Sequence, residues 1–352
     1  KLGFATGMGK RPRERVVKAG DVESLAAEID RARRRFGLKR DSQVVSCYEA
    51  GRDGFWIHRS LVDQGIENVV LDSASIEVNR RQRRAKSDKV DVKALLRLLQ
   101  RYWQGERGML SVVRVPTVAE EDQRRLHRER ERLLKERGSH SARIKSLLVA
   151  HGLRLQVGAD FLHQLEVARG GLGYALGSDL KAELVREYER YRVVDEQIRG
   201  LEAEQKARAQ AGLGDALEQV NRLMQLRSVG WQSSWVLVME FFAWRAFRNQ
   251  RQVAACAGLT PTPYSSGDSE REQGISKAGN RRFRTLMIEL SWLWLRYQPG
   301  SALSQWFQRR FAGGGKRMRR IGIVALARKL LIALWRYVTD GVIPEGAVLK
   351  AV

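Results

Sequence analysis

The sequence predicts an α/β domain followed by a mainly helical region, on three observations. Short β-branched runs alternate with amphipathic segments up to about Tyr102. Leucines recur at seven-residue and three- to four-residue steps between Val118 and Leu201. From Asn221 onward, apolar residues fall at helical spacing. Strand, helix, strand, helix in short units argues a parallel sheet with flanking helices.

Leu2–Thr6 and Arg13–Lys18 read as a hairpin around Gly9-Lys10-Arg11-Pro12, and the chain, which begins at Lys1, is expected to be truncated just ahead of it. Asp21 caps a helix reaching about Phe36, with Leu25, Ile29 and Ala32 on one face. Gln43–Cys47 is a buried strand, so Glu49 stands just past its carboxyl end; Gly54–Gly65 is a helix and Asn68–Asp72 a second strand. The run Arg80–Asp91, with Arg83, Arg84 and Lys86 as candidate nucleic-acid contacts, opens a helix over Val92–Tyr102. Asp88 and Asp91 are three residues apart, which on a helix puts both carboxylates on one face. In α/β domains, sites form outside the carboxyl ends of the strands, where Glu49 also lies. Three hard oxygen donors there suit Mg²⁺. The competing reading makes Asp88 a helix cap and pairs Asp91 with Lys89 or Arg84.

Val118–Leu153 reads as a charged helix with Leu126, Leu133, Leu134, Ile144, Leu147 and Leu148 along one side. Gly170-Gly171-Leu172-Gly173 breaks it, and a second helix carries Leu180, Leu184, Tyr188, Tyr191, Val194, Ile198 and Leu201. Two such helices predict an antiparallel coiled-coil arm over residues 116–215, between an α/β domain (1–115) and a C-terminal domain (216–352). The arm's arginines form a solvated face, or hold nucleic acid or a second protomer.

Asn221–Leu226, the turn Arg227–Gly230 and the helix Trp231–Phe242 resemble a helix-hairpin-helix, in which turn amides near Gly230 grip a phosphate. A further helix is expected over Phe247–Ala257. Between Tyr264 and Ile275 there is no large apolar side chain, so an exposed loop is expected there. It carries Ser265-Ser266-Gly267, hydroxyls beside a glycine that lets backbone approach. Arg271, Lys277, Arg281, Arg282 and Arg284 follow as candidate phosphate contacts, or as turn chemistry and a solvated helix face. Trp292, Trp294, Leu295, Trp306 and Phe307 are expected in the core. Gly313-Gly314-Gly315-Lys316 lacks the pattern of a phosphate-binding loop and reads as a flexible turn before a closing helix, Ile321–Thr339.

The chain's 352 residues hold 64 Lys and Arg against 40 Asp and Glu, a formal charge of +24, which points to a polyanionic partner, nucleic acid first. Cys47 and Cys256 are too few for a disulfide scaffold or zinc cluster, and the five histidines show no ligand spacing. The longest apolar run, Ile321–Leu334, is interrupted by Arg328 and Lys329 and is too short to span a membrane. A cytoplasmic, nucleoid-associated protein is expected.

Glu49 in Y-E-A-G, K-S-D-K-V-D-V-K-A-L at 86–95, the arginine-rich helices, S-V-G-W at 228–231, and G-L-T-P-x-P-Y-S-S-G followed by G-I-S-K-A-G-N-R-R-F-R resemble the DEDD transposases of insertion-sequence family one-hundred-and-ten. The resemblance runs along essentially the whole chain. It implies a RuvC-like, ribonuclease-H-type first domain binding Mg²⁺ through four acids, and a C-terminal transposase domain supplying a nucleophilic serine. It also implies site-specific DNA recombination guided by a structured RNA that pairs with target and donor DNA. Glu49, Asp88 and Asp91 match the second, third and fourth acids, and Ser266 the serine, with Ser265 and then Ser276 in reserve. The first acid has no counterpart; Asp21 and Asp30 do not fit it. Two domains that must meet imply a dimer or tetramer, with the arm as its means. The alternatives are a metal-only nuclease or transposase without a covalent intermediate, and an inactive nucleic-acid-binding remnant.

Overall fold

The structure, a computed structural model, describes residues 1–51, 54–73, 76, 88–211, 214–266 and 269–350, without the side chains of 88–90, 109, 263–266 and 269–273. It divides into two compact units, Lys1–Val115 and Pro116–Val352.

In the first unit, β1 (Leu2–Phe4) pairs antiparallel with β2 (Arg13–Arg15), Leu2 opposite Arg15 and Phe4 opposite Arg13. Helix α1 (Val22–Arg35) starts where the Asp21 carboxylate accepts a hydrogen bond from Ser24 N at 2.9 Å, satisfying one of the amides that a helix start leaves free. Buried Glu28 on α1 accepts from Arg13 Nη2 at 3.1 Å and from Arg31 Nη1 at 2.5 Å, which fastens β2 to the helix. β3 (Val45–Glu49) and β4 (Glu67–Leu71) are parallel, running in register from Val45 opposite Glu67 to Glu49 opposite Leu71. Parallel neighbours need a crossover, and α2 (Trp56–Asp63) supplies it. Ile29, Leu61 and Ile66 fill one small core; Leu71, Leu98 and Leu110 fill another beneath α3 (Asp88–Trp103). After α3 the chain returns along β4, where Val113 N donates to Val70 O and Asp72 N to Ser111 O, both at 2.8 Å. Among the described residues the strands form three separate two-stranded sheets.

The second unit opens with α4 (Val118–Asp122), capped by the reciprocal Thr117–Glu120 pair, and α5 (Arg125–Ala150). The sequence predicts one continuous helix here; the chain instead breaks at Gln123–Arg124. α5 packs against α7 (Ser178–Ala211). Their ion pairs, Arg130–Glu202, Arg137–Asp195, His140–Glu187 and Arg143–Glu183, run in opposite chain directions and set the two helices antiparallel. Between the ladders lie buried Leu133, Ile144, Leu148, Leu184, Tyr188, Val194 and Ile198. The helices are not joined by the glycine turn alone. A short helix α6 (Phe161–Val167) intervenes, with Phe161 packed 4.8 Å from the Tyr188 ring, and Gly170–Gly173 only shapes the return to α7.

The remaining helices are α8 (Asp215–Met224), α9 (Trp231–Leu237) continuing as a π-helical turn (Val238–Phe242), α10 (Gln250–Cys256), α11 (Arg281–Tyr297), α12 (Ala302–Phe311) and α13 (Lys316–Asp340). They enclose one core around Trp235, Phe241, Phe283, Trp294 and Leu331, with the Phe241 and Phe283 rings stacked at 3.9 Å. Lys316 begins α13 rather than ending a flexible turn. The last segment is tied down: Leu349 bridges Leu226, and Gln298 holds Val348 through both its amide oxygen and nitrogen at 2.8 Å. Among the described residues no helix is long and apolar enough to cross a membrane.

Leu184 is fully buried where α5, α6 and α7 meet. Leu184→Ala is expected to cost about 2–5 kcal/mol, transfer loss plus cavity, read as a lower urea midpoint at unchanged slope. A loss under 1 kcal/mol, roughly, would show that this side chain does not hold the helices together.

Candidate functional site

The serine segment is not the expected loop. It forms a hairpin, β5 (Pro261–Ser266) against β6 (Ser269–Ile275), with Pro263 opposite Glu272, Ser266 opposite Ser269 and an irregularity between Pro261 and Pro263. Backbone pairing makes these strands, helped at the foot by Thr262 Oγ1 donating to Gly274 O at 3.1 Å and by Ile275 packing against the core.

The foot of the hairpin is locked onto the helical core. Gly258 (φ +66°) and Gly279 (φ +89°) lie where two backbones cross: a Cβ at 258 would fall 1.9 Å from Ala278 O, and one at 279 would fall 2.1 Å from Cys256 O. Only glycine satisfies both the left-handed backbone and the close approach. Ser276 N donates to Thr260 O at 2.9 Å and Lys277 N to Gly258 O at 3.2 Å. Asn280 then caps α11, its Oδ1 accepting from Phe283 N at 3.2 Å.

The basic residues that follow divide by partner. Lys277 and Arg281 face solvent. Arg284 donates to Ala257 O at 3.2 Å, bracing the crossing, and Arg282 is held by Glu131 and, at 3.2 Å, by Glu240. Arg282 and Arg284 therefore build the platform under the hairpin. The side chains of Ser265, Ser266 and Arg271 lie outside the described set, as do Gly267 and the whole of Arg83, Arg84 and Lys86. Gly230 is the extended residue ahead of α9, and its carbonyl accepts from Ser234 N at 2.9 Å. The adjoining turn is occupied by the chain's own end, with Lys350 Nζ donating to Met224 O at 2.7 Å and Val229 O at 2.9 Å.

Beneath the platform sits Glu240, 1 % exposed, on the π-helical turn. Its carboxylate accepts from His127 Nε2 at 2.7 Å, Arg128 Nε at 2.6 Å and Nη2 at 2.9 Å, Asn280 Nδ2 at 3.2 Å and Arg282 Nη1 at 3.2 Å. Burial by itself would raise its pKa. The hydrogen bonds from His127 and Arg128 and the charge of Arg128 outweigh burial and hold the carboxyl far below the usual range. Burial pushes His127 below its ordinary 6.5 against the pull of Glu240, so the imidazole is neutral and its Nε2 carries the shared proton. One carboxylate thus joins α5, α9's continuation and the first turn of α11. Sequence reasoning passed over it, although a lone acid in the apolar run Trp235–Phe242 is a signal that a buried partner must exist.

In the first unit, Glu49 ends β3, where Ala50 N donates to Leu71 O at 2.8 Å. Helix α3 runs antiparallel to β3. Cys47 Sγ lies 3.7 Å from Leu95 O, while Val44 and Val45 share a cavity wall with Leu99, Gln100 and Trp103. The first turn of α3, with Asp88 and Asp91, therefore comes to the same end of the strand as Glu49. Glu49 and Asp91 are exposed, with no ion pair among the described residues. Their hard carboxylate oxygens fit a divalent cation by chemistry. No group of three metal-binding side chains is assembled among the described residues, of which the Asp88 side chain is not one.

The sequence profile of the Transposase IS116/IS110/IS902 family matches residues 220–306, the stretch holding the Glu240 platform and the hairpin. The chain is 44 % identical to y4rJ of Sinorhizobium fredii (strain NGR234), a protein assigned as a transposase, across 99 % of this chain and 90 % of that one. It is 28 % identical to the transposase for insertion sequence element IS1111A of Coxiella burnetii, over 80 % of this chain and 74 % of the relative. It is 26 % identical to the transposase for element IS1328 of Yersinia enterocolitica, over 62 % of this chain and 63 % of the relative. With that identity sustained along nearly its whole length, the chain belongs to the IS110/IS116/IS902 family of insertion-sequence transposases.

Proposed function

We propose that this transposase cuts and rejoins DNA through a serine nucleophile, Ser266, assisted by Mg²⁺ held on Glu49, Asp88 and Asp91, and is directed to its sites by an element-encoded RNA. The observation that carries the reading is the hairpin: Ser265 and Ser266 close the strand of a ribbon whose foot is pinned by two obligate glycines and a buried carboxylate. A nucleophile needs such a fixed mount, since misplacement by about 1 Å costs of order 10²-fold in rate.

In the proposed step, Ser266 Oγ attacks a DNA phosphorus and forms a phosphoserine ester; the displaced deoxyribose oxygen takes up a proton. A deoxyribose hydroxyl of the new partner strand then attacks the ester, and the serine leaves with its proton restored. Bond energy is conserved, so rejoining needs no nucleotide cofactor. Mg²⁺, when bound, supplies positive charge to the phosphodiester and the leaving oxygen. Lys277 and Arg281, without an acidic partner among the described residues, hold neighbouring phosphates, with Arg271 as a third candidate and Gly230, Arg83, Arg84 and Lys86 as further backbone contacts. The acids and the serine lie in different units, and a dimer or tetramer built on the α5–α7 pair would bring them to one DNA strand.

The direct test incubates the protein with Mg²⁺, RNA transcribed from the element and labelled element-junction DNA, followed by detergent electrophoresis and peptide mass spectrometry. A covalent adduct on Ser266 is expected, absent from Ser266→Ala and kept in Ser265→Ala. Metal-dependent nicking with no adduct in any variant would transfer the chemistry to the acids alone. Asp91→Ala is expected to slow cleavage by about 10²–10³-fold, the scale of removing one preorganised electrostatic group; an unchanged rate would remove Asp91 from the site.

The platform gives separate expectations. Glu240→Ala leaves His127 and Arg128 without their acceptor, and Arg282 with Glu131 alone, and is expected to destabilise the second unit by roughly 3–5 kcal/mol in denaturant titration. A near-neutral result would mean that the network is dispensable. Glu240 and His127 both bind fewer protons folded than unfolded, so stability rises with pH in the acid range. The His127 contribution is complete above its ordinary 6.5 and is lost as pH falls below it; that of Glu240 begins to be lost below its ordinary 4.5. His127→Gln is expected to flatten the urea midpoint between those two values while leaving the fall at lower pH. A slope unaltered by the substitution would contradict this assignment.

A further inference from the structure

From Leu290 to Thr339 the chain carries ten lysines and arginines and no aspartate or glutamate. Six of the ten meet where α12 turns into α13: Arg309 and Arg310 in the last turn of α12, and Lys316, Arg317, Arg319 and Arg320 in the first turns of α13. All six are exposed. None forms an ion pair among the described residues. The contrast is with α5. On α5, Arg130, Arg132, Arg137 and Arg143 are each bound to a carboxylate.

The arrangement opposes local helix energetics. Lys316 and Arg319, Arg317 and Arg320, and Lys316 and Arg320 are like charges three or four residues apart, which repel along a helix face. They stand at the end of α13 where the macrodipole already disfavours cations. The first turn of α13 contains no acid, and Gly315 ahead of it provides no side-chain cap. The packing nonetheless holds the array in place. Phe307, Phe311, Ile323 and Leu326 form a buried cluster between the two helices, and at Gly322 a Cβ would lie 2.5 Å from the Phe311 ring, so the helices meet at closest approach just behind the cations. Lys329 Nζ lies 4.8 Å over the Trp306 ring and braces the same hairpin. A rigid, self-repelling cationic array without counter-charge is complementary to a polyanion that supplies the charge from outside.

We infer that the α12–α13 turn is a docking surface for the sugar–phosphate backbone of duplex DNA, separate from the serine hairpin and independent of base sequence. Exposed guanidinium and ammonium groups position a duplex without reading it, and binding releases counterions in proportion to the phosphates neutralised. Duplex DNA is the occupant because it is the substrate that a transposase must hold; the inference rests on the family for the partner and on this surface for the site.

The test compares the wild-type chain, Arg317→Glu/Arg320→Glu, and a control carrying the same charge change on α7, Arg186→Glu/Arg192→Glu, for binding to random-sequence duplex DNA across a salt series. The α12–α13 variant is expected to bind about 10²-fold more weakly at low salt. Its plot of log affinity against log salt should be shallower by about 2, one for each phosphate that the variant no longer neutralises, while the control stays within about threefold of wild type. Equal weakening in both variants, binding by the patch variant within about threefold of wild type, or a weakening confined to an RNA hairpin would each overturn the assignment. If the double reversal fails to fold, Arg309→Gln/Arg310→Gln is read by the same criteria, with binding about tenfold weaker expected. Ser266→Ala protein, which separates cleavage from binding, should dock as wild type does, so failure of the serine mechanism and failure of this surface register independently.

Discussion

Burying Glu240 is the constraint on which the second unit depends. A carboxylate that is 1 % exposed is tolerable only with its charge and lone pairs fully answered, and four side chains from two stretches of chain, the start of α5 and the start of α11, answer them. The π-helical turn places it there: Ala243 N donates to Val238 O at 2.9 Å, five residues back, and all of Val238–Phe242 is buried. Its backbone carbonyl is engaged too, accepting from Trp244 Nε1 at 3.1 Å and Arg245 Nη1 at 2.6 Å. Arg245 stacks 3.7 Å over the Trp244 ring and Arg124 lies 4.6 Å over the same ring. The start of α5, the end of α9 and the cap of α11 cannot shift separately without leaving one of these charges bare.

That constraint explains how a hairpin without a hydrophobic face keeps a definite position. The β5–β6 ribbon has little to bury, and a two-stranded ribbon is marginal by itself. Its place is set at its foot, by the Gly258 and Gly279 crossing, by Arg284 on Ala257 O and by Asn280, which faces Glu240 and the α11 amides at once. Ser265 and Ser266 stand at the end of the strand away from that foot. Rigid foot and polar tip form one division of labour.

The legible parts of the sequence were those with a period. Leu25, Ile29 and Ala32 marked α1, the β-branched runs marked β3 and β4, and the leucine steps marked the facing sides of α5 and α7. What escaped had no period to show. The α6 helix has only seven residues, too few for a pattern; the break at Gln123–Arg124 occurs in sequence that is helical on both sides; and the hairpin strands show no alternation of apolar and polar residues. Arg282 and Arg284 read as phosphate contacts because sequence shows a cation but not the acid or carbonyl that claims it. Glu131 and Glu240 lie 151 and 42 residues away from Arg282 along the chain. At the acidic site the spacing of Asp88 and Asp91 and the position of Glu49 were readable, and the antiparallel course of α3 along β3 brings their backbones to one end of the sheet.

The net charge of +24 therefore has no single meaning along the chain. On α5, Arg130, Arg137 and Arg143 are spent on carboxylates of the facing helix, and on α7 Arg190, Arg199 and Arg208 on carboxylates of their own helix, so part of that stretch is basic by count and neutral by contact. Around Glu240 three cationic or proton-donating side chains are consumed in stabilising one buried anion. The excess that remains to act on a partner is concentrated where acids are absent from both sequence and surroundings, and Leu290–Thr339 is such a stretch. Screening acts on exposed charges far more than on buried ones. Rising salt should thus weaken the hold on nucleic acid while the Glu240 network and the hairpin foot it fixes stay intact, because the charges that bind and the charges that build are different residues.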